Sequence, residues 1–160
     1  MAISTGDKIP AGALGHKTAD GIEQISTDDL FAGKKVVLFS VPGAFTPTCS
    51  AQHLPGFVQK ADEIKAKGVD TVACMAVNDP FVMEAWGKDQ NVGDKVMMLA
   101  DGSAKFAAAT GLELDLTERG LGMRNKRFSM IVDDGVVQSL HIDEGAFEKT
   151  SAEQMLSELS

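Results

Sequence analysis

The chain has 160 residues, 44% hydrophobic and 24% charged, the balance of an ordinary globular domain rather than a disordered or fibrous chain. With 15 basic residues against 23 acidic ones the formal charge is −8, which argues against a nucleic-acid or anionic-membrane surface, since both need a basic patch. No window approaches the roughly 18 apolar residues of a membrane span, and the N-terminal segment lacks the basic-then-apolar pattern of a secretory signal. Two cysteines, Cys49 and Cys74, are too few for a disulfide framework and imply a reducing, cytoplasmic setting. No repeat, low-complexity tract or linker divides the chain, so residues 1–160 are expected to form one domain.

In chain order, Ser26-Thr27-Asp28-Asp29 reads as a short helical start closed by Gly33. Residues 36–41, Val-Val-Leu-Phe-Ser-Val, form a continuous apolar run rich in β-branched residues, the pattern of a strand buried on both faces. Residues 42–47 carry two prolines and a glycine and read as a loop. A helix is expected over about 48–67, with Leu54, Phe57, Val58, Ala61 and Ile64 at helical spacing, bent by Pro55 and ended by Gly68. Residues 70–77 read as a second buried strand. Asn78-Asp79-Pro80 supplies a cap and a first-turn proline for a helix reaching about Gln90.

A third strand is expected over 96–99 and a short helix over 103–110, closed by Gly111. Residues 112–125 show no clean period. Residues 127–141 read as a hairpin turning on Asp133-Asp134-Gly135, and Ser151-Ala152-Glu153-Gln154 as a capping box opening a last helix. The order β-α-β-α-β-α, then hairpin, then helix, predicts an α/β fold: a thioredoxin-like mixed β-sheet flanked by helices.

Cys49 follows a buried strand and a stiff loop and sits in the first turn of the expected helix, where unpaired backbone N–H groups and the helix dipole favour a thiolate. Position alone leaves two readings, a reactive thiol or a half-buried structural cysteine. Cys49-Ser50-Ala51-Gln52 is not a C-x-x-C dithiol, and no arginine follows closely enough to form a phosphate-cradling loop. His53, one helical turn on, shares a face with Cys49. Without a second pair of ligands at finger-like spacing it reads as a hydrogen-bonding neighbour, and no metal is expected. Cys74, within an apolar strand, reads as a small buried hydrophobe.

Residues 42–49, Pro-Gly-Ala-Phe-Thr-Pro-Thr-Cys, place the Thr46 hydroxyl three residues before the thiol. This segment resembles the peroxiredoxin active-site signature P-x-x-x-T/S-x-x-C at all its defining positions. PGAFTPTCS, HLPGF, KAKGV, VACMAVND and KRFSM-x-V-x-DG are together similar to the type-V subfamily of peroxiredoxins, called type II in plants, over about residues 6–141.

The resemblance implies a peroxidatic cysteine at Cys49, a peroxide-binding hydroxyl at Thr46, a shielding proline at Pro42 and a site guanidinium at Arg127, with Arg124 a nearby alternative. The backbone N–H groups of Thr48 and Cys49 are expected to join Arg127 in stabilising charge as the O–O bond breaks. Thr46 is expected to accept from the peroxide while donating toward sulfur. The late resolving cysteine of some family members is missing here. That absence implies one-cysteine reduction of hydrogen peroxide and alkyl hydroperoxides through a sulfenic acid. An external thiol would then restore the enzyme: glutathione with glutaredoxin, or thioredoxin, and no cofactor. Phe45, on the active-site loop, and the apolar residues around Leu121 are candidates for the dimer interface that the subfamily uses. Rival readings are a peroxide sensor or holdase that does not turn over, and a thiol–disulfide oxidoreductase on the same fold.

Overall fold

The computed structural model describes residues 2–144 and 147–159. Its strands are β1 (Ala13–Thr18), β2 (Gly21–Ser26), β3 (Lys35–Ser40), β4 (Thr71–Ala76), β5 (Met97–Ala100), β6 (Glu113–Leu116), β7 (Gly122–Asn125), β8 (Arg127–Asp133) and β9 (Val136–Asp143). The helices are α1 (Thr27–Phe31), α2 (Leu54–Ala66), α3 (Pro80–Asp89), α4 (Lys105–Thr110) and α5 (Ala152–Glu158). The main sheet runs β2-β1-β5-β4-β3-β8-β9. Strands β3, β4 and β5 are parallel, while β8, β9, β1 and β2 add antiparallel neighbours on the two sides. This is the mixed, thioredoxin-like α/β sheet that the alternation of elements predicts.

The central strands are buried on both faces because helices and loops cover both, and their side chains alternate between two cores. Val37 and Phe39 of β3, with Val72, Cys74 and Ala76 of β4, pack with Leu54, Phe57 and Ile64 of α2 and with Met83 and Trp86 of α3. Val36, Leu38, Ala73 and Met75 point the other way, toward Leu14, Phe31, Phe106 and Phe128. Capping chemistry sets the helix starts. Ser26 accepts from the Asp29 N–H, Asp79 from the Val82 N–H and Ser151 from the Gln154 N–H. The β8–β9 turn carries Asp134 at φ 50° and Gly135 at φ 79°, the paired left-handed residues of a type I′ hairpin.

Three features depart from the sequence reading. The antiparallel pair β1–β2 was not expected: β2 is exposed over its first four residues and offers no apolar run. Residues 112–125 are an ordered two-stranded ribbon, β6 paired with β7 across a 3-10 turn at Thr117–Arg119, too short and too exposed to show a period. The helix expected from about residue 48 includes a π-helical turn, Cys49–His53, where the Leu54 N–H reaches back to the Cys49 carbonyl. Pro55 follows at the head of α2, and the wider turn comes where its missing N–H and bulky ring disturb regular helical bonding.

Phe57 is fully buried and stacks on Phe39 with ring centroids 4.0 Å apart, joining α2 to the central strand. Phe57→Ala should cost about 3–5 kcal/mol of unfolding free energy, measured by urea titration with an unchanged slope. A loss below about 1 kcal/mol would mean that this stack does not anchor the helix.

Candidate active site

Cys49 is fully buried at the head of the helical segment leading into α2. Arg127 opens β8, whose alternation decides where its side chain goes. Phe128, Met130 and Val132 enter the core on one face, while Ile131 packs in the other core with Cys49 and Cys74. Arg127 shares the parity of Ile131 and therefore projects to the cysteine side. A register slip of one residue would send it to the opposite face.

The guanidinium makes two directed contacts. Its Nη2 donates to Cys49 Sγ at 3.1 Å, and its Nη1 donates to His53 Nδ1 at 2.7 Å. His53 Nε2 lies 2.9 Å from the Thr150 carbonyl, which can only accept, so the ring proton sits on Nε2 and Nδ1 is free to accept. The imidazole is packed among Phe39, Phe57 and Phe147, at centroid distances of 4.9, 5.6 and 5.1 Å. Burial, and after it the Arg127 charge, push the His53 pKa down to about 3, against the opposing pull of the Thr150 carbonyl and Asp143. The ring is therefore neutral at physiological pH. The cation lies within reach of the Phe147 face, 5.8 Å from the centroid.

The loop before the cysteine is fixed by polar contacts. Thr46 Oγ1 donates to the Gly43 carbonyl at 2.7 Å, so its lone pairs remain to accept from a ligand. The expected donation from Thr46 toward sulfur is not the bond the hydroxyl makes, because Gly43 takes its one proton. The Ala44 N–H donates to Asn78 at 3.0 Å, and Arg124 Nη1 donates to the Pro42 carbonyl at 3.3 Å. Arg124 Nε donates to the Leu121 carbonyl at 2.8 Å, so this arginine ties the β7 side to the loop, while Arg127 meets the sulfur. Pro42 and Thr48 are half-buried on the same segment as Cys49. Phe45 is exposed, adopts φ 64° and sits 6.4 Å from the Trp86 ring.

Cys74 lies in the middle of the sheet, paired with Phe39 on β3 and Met98 on β5. Burial, with Cys49 adding to it and Arg127 opposing, raises its thiol pKa well above the ordinary value. Among the described residues no three His, Cys, Asp or Glu side chains converge to hold a metal ion, and no helix is long and apolar enough to cross a membrane. The sequence reading missed Thr150 and Asp143, whose part in the site comes from a main-chain carbonyl and the loop that presents it. The sole local signal was the cap at Ser151.

Comparison with known proteins gives the family. Residues 4–156 match the Redoxin family. The chain is 51% identical to chloroplastic peroxiredoxin-2E of Arabidopsis thaliana, over 99% of this chain and 70% of that one. It is 47% identical to Arabidopsis peroxiredoxin-2B, over 98% of each. The crystal structure of reduced Prx3 from Vibrio vulnificus in complex with hydrogen peroxide is 49% identical and superimposes with a TM-score of 0.95, covering 99% of both chains. A thiol held by a buried arginine, on this sheet and in this sequence, places the chain in the Redoxin family as a peroxiredoxin, a thiol-dependent peroxidase on the thioredoxin-like fold.

Proposed function

We propose that the chain reduces hydrogen peroxide and small alkyl hydroperoxides with Cys49 as the only redox-cycling thiol, and that an external thiol regenerates it. The observation that carries this reading is the 3.1 Å hydrogen bond from Arg127 to Cys49 Sγ in a fully buried setting. A cysteine thiol with an ordinary pKa is only a few per cent ionised at neutral pH, and a guanidinium in contact favours its ionised form. The thiolate attacks one peroxide oxygen. An S–O bond forms, the O–O bond breaks, and the other oxygen leaves as water or an alcohol once protonated.

In this reading Thr46 accepts a hydrogen bond from the peroxide O–H, consistent with a hydroxyl whose own proton goes to Gly43. Arg127 and the N–H groups of Thr48 and Cys49 carry the charge that develops on oxygen. Pro42 limits water at the sulfur. His53 acts one step removed, through Arg127.

The resulting sulfenic acid condenses with glutathione, releasing water and leaving a mixed disulfide. Glutaredoxin then attacks the glutathione sulfur and frees Cys49. Thioredoxin is the alternative reductant. A one-cysteine cycle is supported by Cys74, which is buried within the sheet, bonded into the ladder on both sides and held protonated. The two free thiols fit a reducing compartment, here taken as the cytoplasm. Exposed Phe45, Leu121 and Met123 lie on segments joined through Arg124 beside the site, and they suit the interface of a homodimer.

Intact-mass spectrometry tests the cycle. One equivalent of peroxide should add one oxygen to Cys49, and added glutathione should replace that oxygen with one glutathione. Cys49→Ser should abolish turnover, and Cys74→Ser should keep most of it. Loss of two hydrogens, with Cys49 and Cys74 in one linked peptide pair, would replace this scheme with a two-cysteine cycle. Oxidation that occurs once and stalls despite glutathione and glutaredoxin would indicate a sensor.

Arg127→Lys keeps a charge but cannot contact His53 and sulfur with one planar fork, so single-turnover oxidation should slow by about tenfold or more. Wild-type rates in that variant would remove Arg127 from the chemistry. For the homodimer, sedimentation at micromolar concentration should give twice the 16.9 kDa chain mass, and Phe45→Asp should return it to the chain mass. A wild-type chain that sediments as a monomer would rule the dimer out.

A further inference from the structure

Arg127 and Asp143 are direct partners across the β8–β9 ladder, so their side chains leave the sheet on the same face. An arginine and an aspartate so placed ordinarily form an ion pair. Here Asp143 turns to the main chain that follows it. Its Oδ2 accepts from the N–H groups of Glu148, Lys149 and Thr150 at 3.0, 2.9 and 3.0 Å and from the Thr150 hydroxyl at 2.8 Å. Its Oδ1 accepts from the Lys149 N–H at 3.1 Å. Asp143 and Thr150 are both buried, and the grip turns the Thr150 carbonyl onto His53 Nε2. That bond fixes the tautomer which offers Nδ1 to Arg127 Nη1, and the other arm of the guanidinium meets the sulfur.

We propose that Asp143 and Thr150 are positioning residues for the reaction at Cys49: by gripping residues 148–150, Asp143 sets, through Thr150 and His53, where the Arg127 guanidinium lies against the sulfur. The same saturation keeps the carboxylate from claiming the guanidinium, so the charge of Arg127 is left for Cys49. Neither residue touches the sulfur, and both act through Arg127. The inference rests on Cys49 being the nucleophile of the proposed peroxidase and adds what holds its cation in place.

Among the described residues the ionisable groups about the sulfur are Arg127 of β8, His53 of its own helical segment and Cys74 of β4, with Asp143 of β9 behind them. This arrangement gives the test a sign. Removing a negative charge near a thiol, by itself, makes the thiolate easier to form. Loosening the guanidinium does the reverse.

Asp143→Asn, Thr150→Val and Thr150→Ser would be made in full-length protein carrying Cys74→Ser, so that one thiol reports. The measurements are the pH dependence of Cys49 alkylation by iodoacetamide and the rate of single-turnover oxidation by hydrogen peroxide. In Asp143→Asn the alkylation midpoint should move up by about one pH unit, and peroxide oxidation should slow by about tenfold. Thr150→Val should move both in the same direction by less, and Thr150→Ser, which keeps the hydroxyl, should restore wild-type values.

An unchanged or downward midpoint in folded Asp143→Asn, with Thr150→Val equal to Thr150→Ser, overturns the proposal. If Asp143→Asn does not fold, the Thr150 pair decides alone. A wild-type chain that alkylates normally but does not react with peroxide would sink the peroxidase reading, while the alkylation midpoints would still judge the positioning.

Discussion

The site depends on a cation placed where water hardly reaches. Arg127 is 8% exposed, and its guanidinium cannot be neutralised by losing a proton. Burying such a charge is unfavourable unless directed partners replace water. The partners here are a sulfur and a neutral imidazole nitrogen, with an aromatic face nearby. No carboxylate forms an ion pair with it among the described residues. A carboxylate in contact would satisfy the arginine better and leave little for the sulfur. The cation is therefore met by no opposite charge, and one of its two directed contacts is the sulfur of Cys49.

Several parts of the fold converge on that one contact. The parity of β8 aims the arginine, the π turn that leads into α2 begins at Cys49, and α2 itself is locked to β3 through the Phe39–Phe57 stack. His53 lies at the far end of the same π turn as Cys49, so one local widening of the helix carries both groups that Arg127 touches. π-helical turns occur often at functional positions because the wider turn re-aims side chains without breaking the helix.

Much of this was legible in the sequence, and the reason differs from part to part. The strand at 36–41 was readable because burial on both faces makes a continuous apolar run, and the 127–141 hairpin because Asp134-Gly135 can take the left-handed angles its turn requires. Thr46, Cys49 and Arg127 stood out as a motif of particular side chains at fixed places, and the structure sets Arg127 against Cys49. β1–β2 and β6–β7 were not, since short half-exposed strands held by ladder bonds need no distinctive composition. Nor was the grip of Asp143 on residues 148–150. Its carboxylate accepts mainly from backbone N–H groups, which every residue but proline possesses, and the Thr150 hydroxyl is its one side-chain partner there, so residue types alone do not betray it.

The neutrality of His53 has a consequence in acid. Unfolded, the ring takes up a proton near its ordinary pKa of about 6.5; folded, it resists until about pH 3. Between those values the unfolded chain binds the extra proton, so the native state loses ground steadily as pH falls through that window and no further below it. Asp143 adds to the same trend. Burial alone would raise its pKa, but the amides of residues 148–150 and the Thr150 hydroxyl together pull it below the ordinary value, and its contribution fades as pH falls through that lowered value. A protonated His53 would also have no lone pair for Arg127 and would set two positive charges side by side. Protonating His53 therefore breaks the contact that holds the arginine beside the sulfur, so the same proton weakens the fold and the site together.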